Sequence, residues 1–133
     1  MTTLLAIDGY NYNSLPITRL RYSNMILDGP GTGRMSADLW PMHREPQGNI
    51  ENAYLEIWLT TTKSTDPNFT RLIRDLKSFG SVPFRQVTFL TPLGELTQPM
   101  YGASFELELV NVRLNGVSYW GILPIEFIAK QGR

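Results

Sequence analysis

Two long runs of alternating hydrophobic and polar residues fill the C-terminal third of the chain. They meet at Asn115-Gly116, a dipeptide that tolerates the positive φ angles of a type I′ turn. The pattern predicts a long β-hairpin over about residues 104–129. Val110 and Val112 extend the apolar character toward the hairpin tip, as expected of an arm that packs onto another surface.

The first arm of this predicted hairpin has two distinct faces. Phe105 and Leu107 share one face, while Glu106 and Glu108 share the other. In the second arm Pro124 has no N–H to donate to a ladder, so we expect a sheet edge or a bulge there. Alternating glutamates on a solvated strand face are much commoner than a catalytic pair, so the carboxylates do not indicate a glycosidase.

A half-buried strand is predicted between residues 53 and 62. Leu55, Ile57 and Leu59 fall on one face, and the opposite, mostly polar face carries Trp58. An aromatic residue in that position is either part of an interface or covered by a second layer of the fold. Both interpretations stay open.

One helix is predicted over about residues 66–79. Asp66 can cap it, with a proline at the first helical position. An apolar stripe follows, and Gly80 stands where a left-handed C-terminal cap belongs. Arg74 and Lys77 lie off the stripe, together with Arg71, and face either solvent or a neighbour.

Shorter patterns predict the remaining elements. Strands are expected over residues 4–7, 10–12, 15–26, 82–90 and 95–100, with turns at Asp8-Gly9 and at residues 91–94. From Leu27 to Asn52 the periodicity disappears among glycines and prolines. A segment of that length is either a binding loop or arm, or an ordinary mobile loop.

Together these elements predict a single domain over residues 1–133. Its expected class is mainly β, a β-sandwich or barrel with one flanking helix and the long C-terminal hairpin. Twelve basic residues balance twelve acidic ones, which disfavours dedicated nucleic-acid binding and strong attraction to a membrane surface. No signal peptide and no apolar run long enough to span a bilayer is visible, so we expect a soluble chain.

The sequence offers little catalytic chemistry. It has no cysteine, which excludes disulfides and thiolate metal sites, and His43 is its sole histidine. The glycine-rich stretch ending at Arg34 lacks the terminal Lys-Ser/Thr of a phosphate-binding loop. We therefore predict no enzyme activity, no cofactor and no metal site.

Three segments carry a family resemblance. They are Ile7–Tyr12, Leu20–Asp28 followed by Gly33-Arg34, and Tyr119–Ala129. Their Ile-Asp-Gly, Leu-Arg, Leu-Asp, Gly-Arg, Trp-Gly and Phe-Ile-Ala motifs resemble small prophage proteins encoded among the tail genes of bacterial phages. The chain departs from that family between Met35 and Asn52.

The resemblance implies a structural subunit of a phage or phage-derived tail, such as a tube, baseplate or tail-completion protein. Such a subunit would form a ring with copies of itself, with hexameric symmetry, and contact adjacent tail proteins. It would be assembled in the bacterial cytoplasm and end in the virion tail. The residues expected at its interfaces are Arg34, Trp40, His43, Arg44, Trp58, Asn115 and Gly116. The alternative is a monomeric β-barrel module that recognises sugar or peptide through exposed Trp40, Trp58, Tyr101 or Trp120.

Overall fold

A computed structural model describes residues 2–28, 46–113 and 116–130 of the chain. Within these ranges the chain forms one helix, α1, at Pro67–Ser78. The strands are Leu5–Ile7 (β1), Tyr10–Asn11 (β2), Ile17–Asp28 (β3), Pro46–Trp58 (β4), Arg85–Thr91 (β5), Gly94–Gly102 (β6), Leu109–Val112 (β7), Ser118–Trp120 (β8) and Ile122–Ala129 (β9). No helix in the described ranges is long and apolar enough to cross a membrane.

Seven of the strands form one antiparallel sheet in the order β2-β1-β5-β6-β9-β4-β3, and β7 pairs with β8 separately. The large sheet bends, so that the ring of Tyr22 on β3 lies 6.4 Å from that of Phe89 on β5. Helix α1 packs onto the core of this bent sheet. The predicted class, a mainly β sandwich with one flanking helix, is confirmed.

Strand alternation places the core as the sequence predicts. Leu55, Ile57 and Leu59 are fully buried, whereas Trp58 between them is 48% exposed. On the neighbouring strand β9, Leu123 and the other odd-numbered residues are buried as well. The predicted first turn is also present, because Asp8 and Gly9 both adopt positive φ (49° and 84°) between β1 and β2.

Helix α1 begins as predicted but ends differently. Asp66 caps it by accepting hydrogen bonds from the backbone N–H groups of Asn68 (2.8 Å) and Phe69 (3.4 Å). The left-handed cap predicted at Gly80 is wrong, since Gly80 is not among the residues with positive φ. Its N–H instead bonds to the carbonyl of Lys77 at 3.1 Å. A tightened last turn thus satisfies the terminal carbonyls without a left-handed residue.

We expect Asp66→Ala to lower the free energy of unfolding by about 1 kcal/mol, because two helix N–H groups lose their acceptor. Urea unfolding monitored by circular dichroism measures the change. Thr65→Ala, at the adjacent exposed position, is the matched control and should stay within about 0.5 kcal/mol of the wild type. Equal midpoints for Asp66→Ala and the control would contradict the capping role.

The C-terminal hairpin forms a ladder only near its tip, between β7 and β8. Its second arm continues as β9, which lies in the large sheet between β6 and β4. Residues 103–108 follow β9 without forming a strand, held by the bonds Ala103 N–H to Glu126 O and Gly121 N–H to Glu108 O, both 2.9 Å. Pro124 lies between those two bonds, and its missing N–H explains why the ladder opens there.

The segment predicted to be irregular, 27–52, overlaps strands at both ends. Strand β3 extends to Asp28, and β4 already begins at Pro46. The ladder shifts register between Leu27 and Asp28, opposite Gly48 with φ of 107°. This bulge at the end of the ladder accommodates the proline and the glycine within the strand. Residues 29–45 lie outside the described ranges.

Candidate assembly surface

The outer face of the sheet, opposite the face covered by α1, carries large exposed apolar side chains. Because β4 and β9 alternate in register, Trp58 lies directly opposite Ile122 on this face. The two side chains are 48% and 45% exposed. Cross-strand pairs of this kind normally stabilise a sheet when another layer covers them. In this chain no layer of the described residues covers the pair.

The β7–β8 hairpin, which leads directly into β9, carries three more exposed apolar side chains. Leu109, Val110 and Val112 are 48%, 58% and 56% exposed. Val110 packs against the backbone of Gly121, where an added Cβ atom would lie 3.4 Å from its Cγ2 atom. We call Trp58, Leu109, Val110, Val112 and Ile122 the apolar surface. Groups of exposed apolar side chains favour contact with another surface.

A groove of about 760 Å³ lies next to the apolar surface. It occupies the gap that opens between β9 and residues 104–108 around Pro124. The residues that line it are Thr60, Glu106, Leu107, Glu108, Gly121, Ile122 and Pro124. Phe105 and Leu107 pack against the core, so the alternation turns both glutamates outward, to the rim of the groove. The groove therefore combines an apolar floor with an acidic rim.

A polar cluster joins β2 and the residue that follows it to α1. The buried hydroxyl of Tyr12 donates a hydrogen bond to Asp75 Oδ2. Burial, and then this hydrogen bond, raises the pKa of Tyr12 well above its ordinary value. The guanidinium of Arg71 lies 3.8 Å from the ring centroid of Tyr10. Because every group in the cluster has a partner inside the chain, we interpret it as a structural connection.

The interface residues predicted from the sequence divide into two groups. Arg34, Trp40, His43, Arg44 and Asn115 lie outside the described residues. Trp58 belongs to the apolar surface. Gly116 is exposed at the turn between β7 and β8, where its φ of 83° suits the predicted tight turn.

The sequence interpretation missed Ile122, which completes the apolar surface. The sequence did indicate its direction, because Ile122 alternates with the core residues of the strand in the same way as Pro124 and Glu126. It is therefore expected on the outer face. The register that places it opposite Trp58 depends on β9 pairing with β4. That pairing joins segments more than sixty positions apart, and no local pattern specifies it.

The aromatic residues of the alternative binding module do not converge. Trp58 pairs with Ile122, and Tyr101 pairs with Ile128 on the same strand. Six residues of extended chain separate those partners by about 20 Å. Trp120 is half-buried against the core, and Trp40 lies outside the described residues.

The structure shows no arrangement of metal ligands in the ranges that it describes. No group of three or more His, Asp or Glu side chains there could hold an ion. Glu106 and Glu108 on the groove rim are only two carboxylates.

Comparison with known proteins identifies a shared fold. The chain matches no protein-family model and no curated protein. Among solved structures, it is similar to a chain in the tail of an empty GTA (gene transfer agent) particle, computed with helical refinement in C6 symmetry. The TM-score is 0.53 at 16% sequence identity, and the match covers 93% of this chain and 89% of the other. At that identity the likeness shows that the two chains share a fold.

Proposed function

We propose that this protein is a structural subunit of a phage or phage-derived tail. The observation that carries the proposal is the fold it shares, over 93% of its length, with a chain of a C6-symmetric GTA tail. The short motifs that resemble prophage tail-region proteins support the same role. The protein's work is assembly, without substrate turnover.

The surface of the subunit supports this role. Among the described strands, β3 lies at one edge of the large sheet and pairs with β4 on one side only. Near the end of that strand Met25 and Ile26 are 59% and 51% exposed. Free strand edges and exposed apolar residues favour association in an isolated chain, so proteins that retain them commonly use them as contacts. We propose that the subunit contacts its neighbours through strand β3, the apolar surface and the β7–β8 hairpin.

The proposed assembly is a ring of identical copies, with six copies by analogy to the C6 tail, that also contacts adjacent tail proteins. A ring requires that each copy offers two different surfaces, one to each neighbour. We place the subunit in the virion tail, after assembly in the bacterial cytoplasm.

We expect the purified protein to form rings or tubes, which light scattering and negative-stain images of the same sample would detect. Val110→Asp should reduce this assembly strongly, because it places a charge in the apolar surface. The matched control is Leu93→Asp, which changes a fully exposed residue in the β5–β6 turn and should assemble like the wild type.

A wild-type protein that stays monomeric and does not join its neighbouring tail proteins would overturn the proposed role. If that monomer also gained thermal stability from a sugar or peptide, the binding-module alternative would replace it. Equal assembly of Val110→Asp and the wild type would remove the apolar surface from the proposed contacts.

A further inference from the structure

Most charged side chains in the described part of the chain have a partner within the chain. Arg85 pairs with Asp8 at 2.6 Å, and Arg19 approaches Glu56 at 3.5 Å. Other charged side chains cap the helix or accept hydrogen bonds from tyrosine or backbone groups. Several cationic side chains lie over aromatic rings. Six described charged side chains make no hydrogen bond, ion pair or ring contact: Lys63, Arg74, Lys77, Glu106, Glu108 and Glu126.

These six side chains are separated by sign. The three cations lie on α1 or in the segment that leads into it. Helix α1 buries Phe69, Leu72 and Leu76 against the sheet. Arg74 and Lys77 are therefore exposed on the side of the helix that faces away from the core.

The three unpaired carboxylates are exposed on β9 and on the segment that runs beside it. Glu106 and Glu108 alternate with core residues on the groove rim, and Glu126 alternates with buried Ile125 and Phe127 on β9. Arg74 thus lies on the side of α1 away from the core, while the three carboxylates are exposed on β9 and on the segment beside it. Among the described residues, none of these carboxylates forms an ion pair within the copy.

We infer that the helix face of one copy docks onto the groove of a second copy, with Arg74 and Lys77 beside Glu106 and Glu108. The inference rests on the proposed self-assembly and names two of the surfaces that would meet. Opposite charges on two different surfaces favour a head-to-tail contact, which a ring requires. A two-fold symmetric contact through either face would instead bring like charges together.

The groove is also chemically suited to these side chains. Its apolar floor includes Leu107, Ile122 and Pro124. The methylene stems of arginine and lysine pack on such surfaces while their charged ends reach acidic groups. The charged ends of Arg74 and Lys77 would therefore match the acidic rim of the groove, and their methylene stems would match its apolar floor.

Charge reversal tests the contact. Arg74→Glu with Lys77→Glu gives a copy whose helix face and groove are both acidic. Glu106→Lys with Glu108→Lys gives a copy in which both are basic. We expect each variant alone to self-associate roughly 10-fold or more weakly than the wild type in sedimentation velocity, because attraction becomes repulsion.

Restored association between oppositely charged variants is the decisive result. An equimolar mixture of the two variants should associate again, since each helix face then meets a groove of opposite sign. A single chain that carries all four reversals should also associate with itself. Leu93→Lys, at the exposed β5–β6 turn, is the control for an added charge and should behave as the wild type. Circular dichroism establishes that each variant is folded.

The outcomes separate this inference from the proposed function. Rings formed by the wild type and equally by both reversed variants would overturn the contact and leave the tail role intact. Folded variants that fail to associate alone, in the mixture and as the fourfold reversal would overturn the charge pairing. A wild type that neither self-associates nor joins tail proteins would overturn both proposals.

Discussion

Phe127→Ala is expected to lower the free energy of unfolding by about 3–5 kcal/mol, the usual cost of emptying a buried aromatic site. Phe127 is fully buried on β9, which connects β4 and β6 in the sheet. Its ring also meets that of Phe79, just after the helix, at 6.2 Å between centroids. The cavity would therefore lie where the sheet and the end of the helix join. Urea unfolding followed by tryptophan fluorescence measures the loss.

The matched control is Ile122→Ala on the same strand. Ile122 points to the outer face and is 45% exposed, so we expect a loss below about 1 kcal/mol. Ile122→Ala should weaken self-association more than Phe127→Ala does, because Ile122 belongs to the apolar surface and Phe127 does not. Equal destabilisation by the two variants would contradict the two-faced structure of β9.

Tyr12→Phe is expected to lower the free energy of unfolding by about 1–3 kcal/mol at neutral pH, because it leaves half-buried Asp75 without its hydroxyl donor. Tyr119→Phe is the matched control. The Tyr119 hydroxyl has no hydrogen-bond partner among the described residues, and its loss should cost less than about 0.5 kcal/mol.

The Tyr12 contribution should also depend on pH. Burial and the bond to Asp75 raise the pKa of Tyr12 in the folded protein, so above the ordinary pKa of about 10 the unfolded chain releases a proton that the folded chain retains. The stabilisation is complete below pH 10 and falls as pH rises toward the folded pKa, by about 1.4 kcal/mol per pH unit.

Urea unfolding at several pH values from 8 to 11 tests this dependence. The difference in stability between the wild type and Tyr12→Phe should be constant up to about pH 10 and should shrink above it. A difference that stays constant through pH 11 would show that the Tyr12 pKa is the same in both states.

Elements whose signals are local were predictable from the sequence. The helix start depends on Asp66 and Pro67, and the alternation of Leu55, Ile57 and Leu59 predicts which face of β4 is buried. The turn at Asp8-Gly9 likewise needs only two residues that accept positive φ. In each case a few neighbouring residues supply both the pattern and its physical cause.

Only the tertiary structure decided how these elements combine. Alternation in residues 104–129 predicts extended chain and its two faces, but it does not specify the strand with which each arm pairs. The structure pairs β9 with β4 and β6 and opens a groove at Pro124. Likewise, Arg74 and Glu108 are ordinary exposed charges in the sequence. Their placement on two different surfaces depends on tertiary packing. The exposed apolar side chains of β4, β9 and the hairpin likewise depend on long-range strand pairing, which side-chain periodicity does not encode.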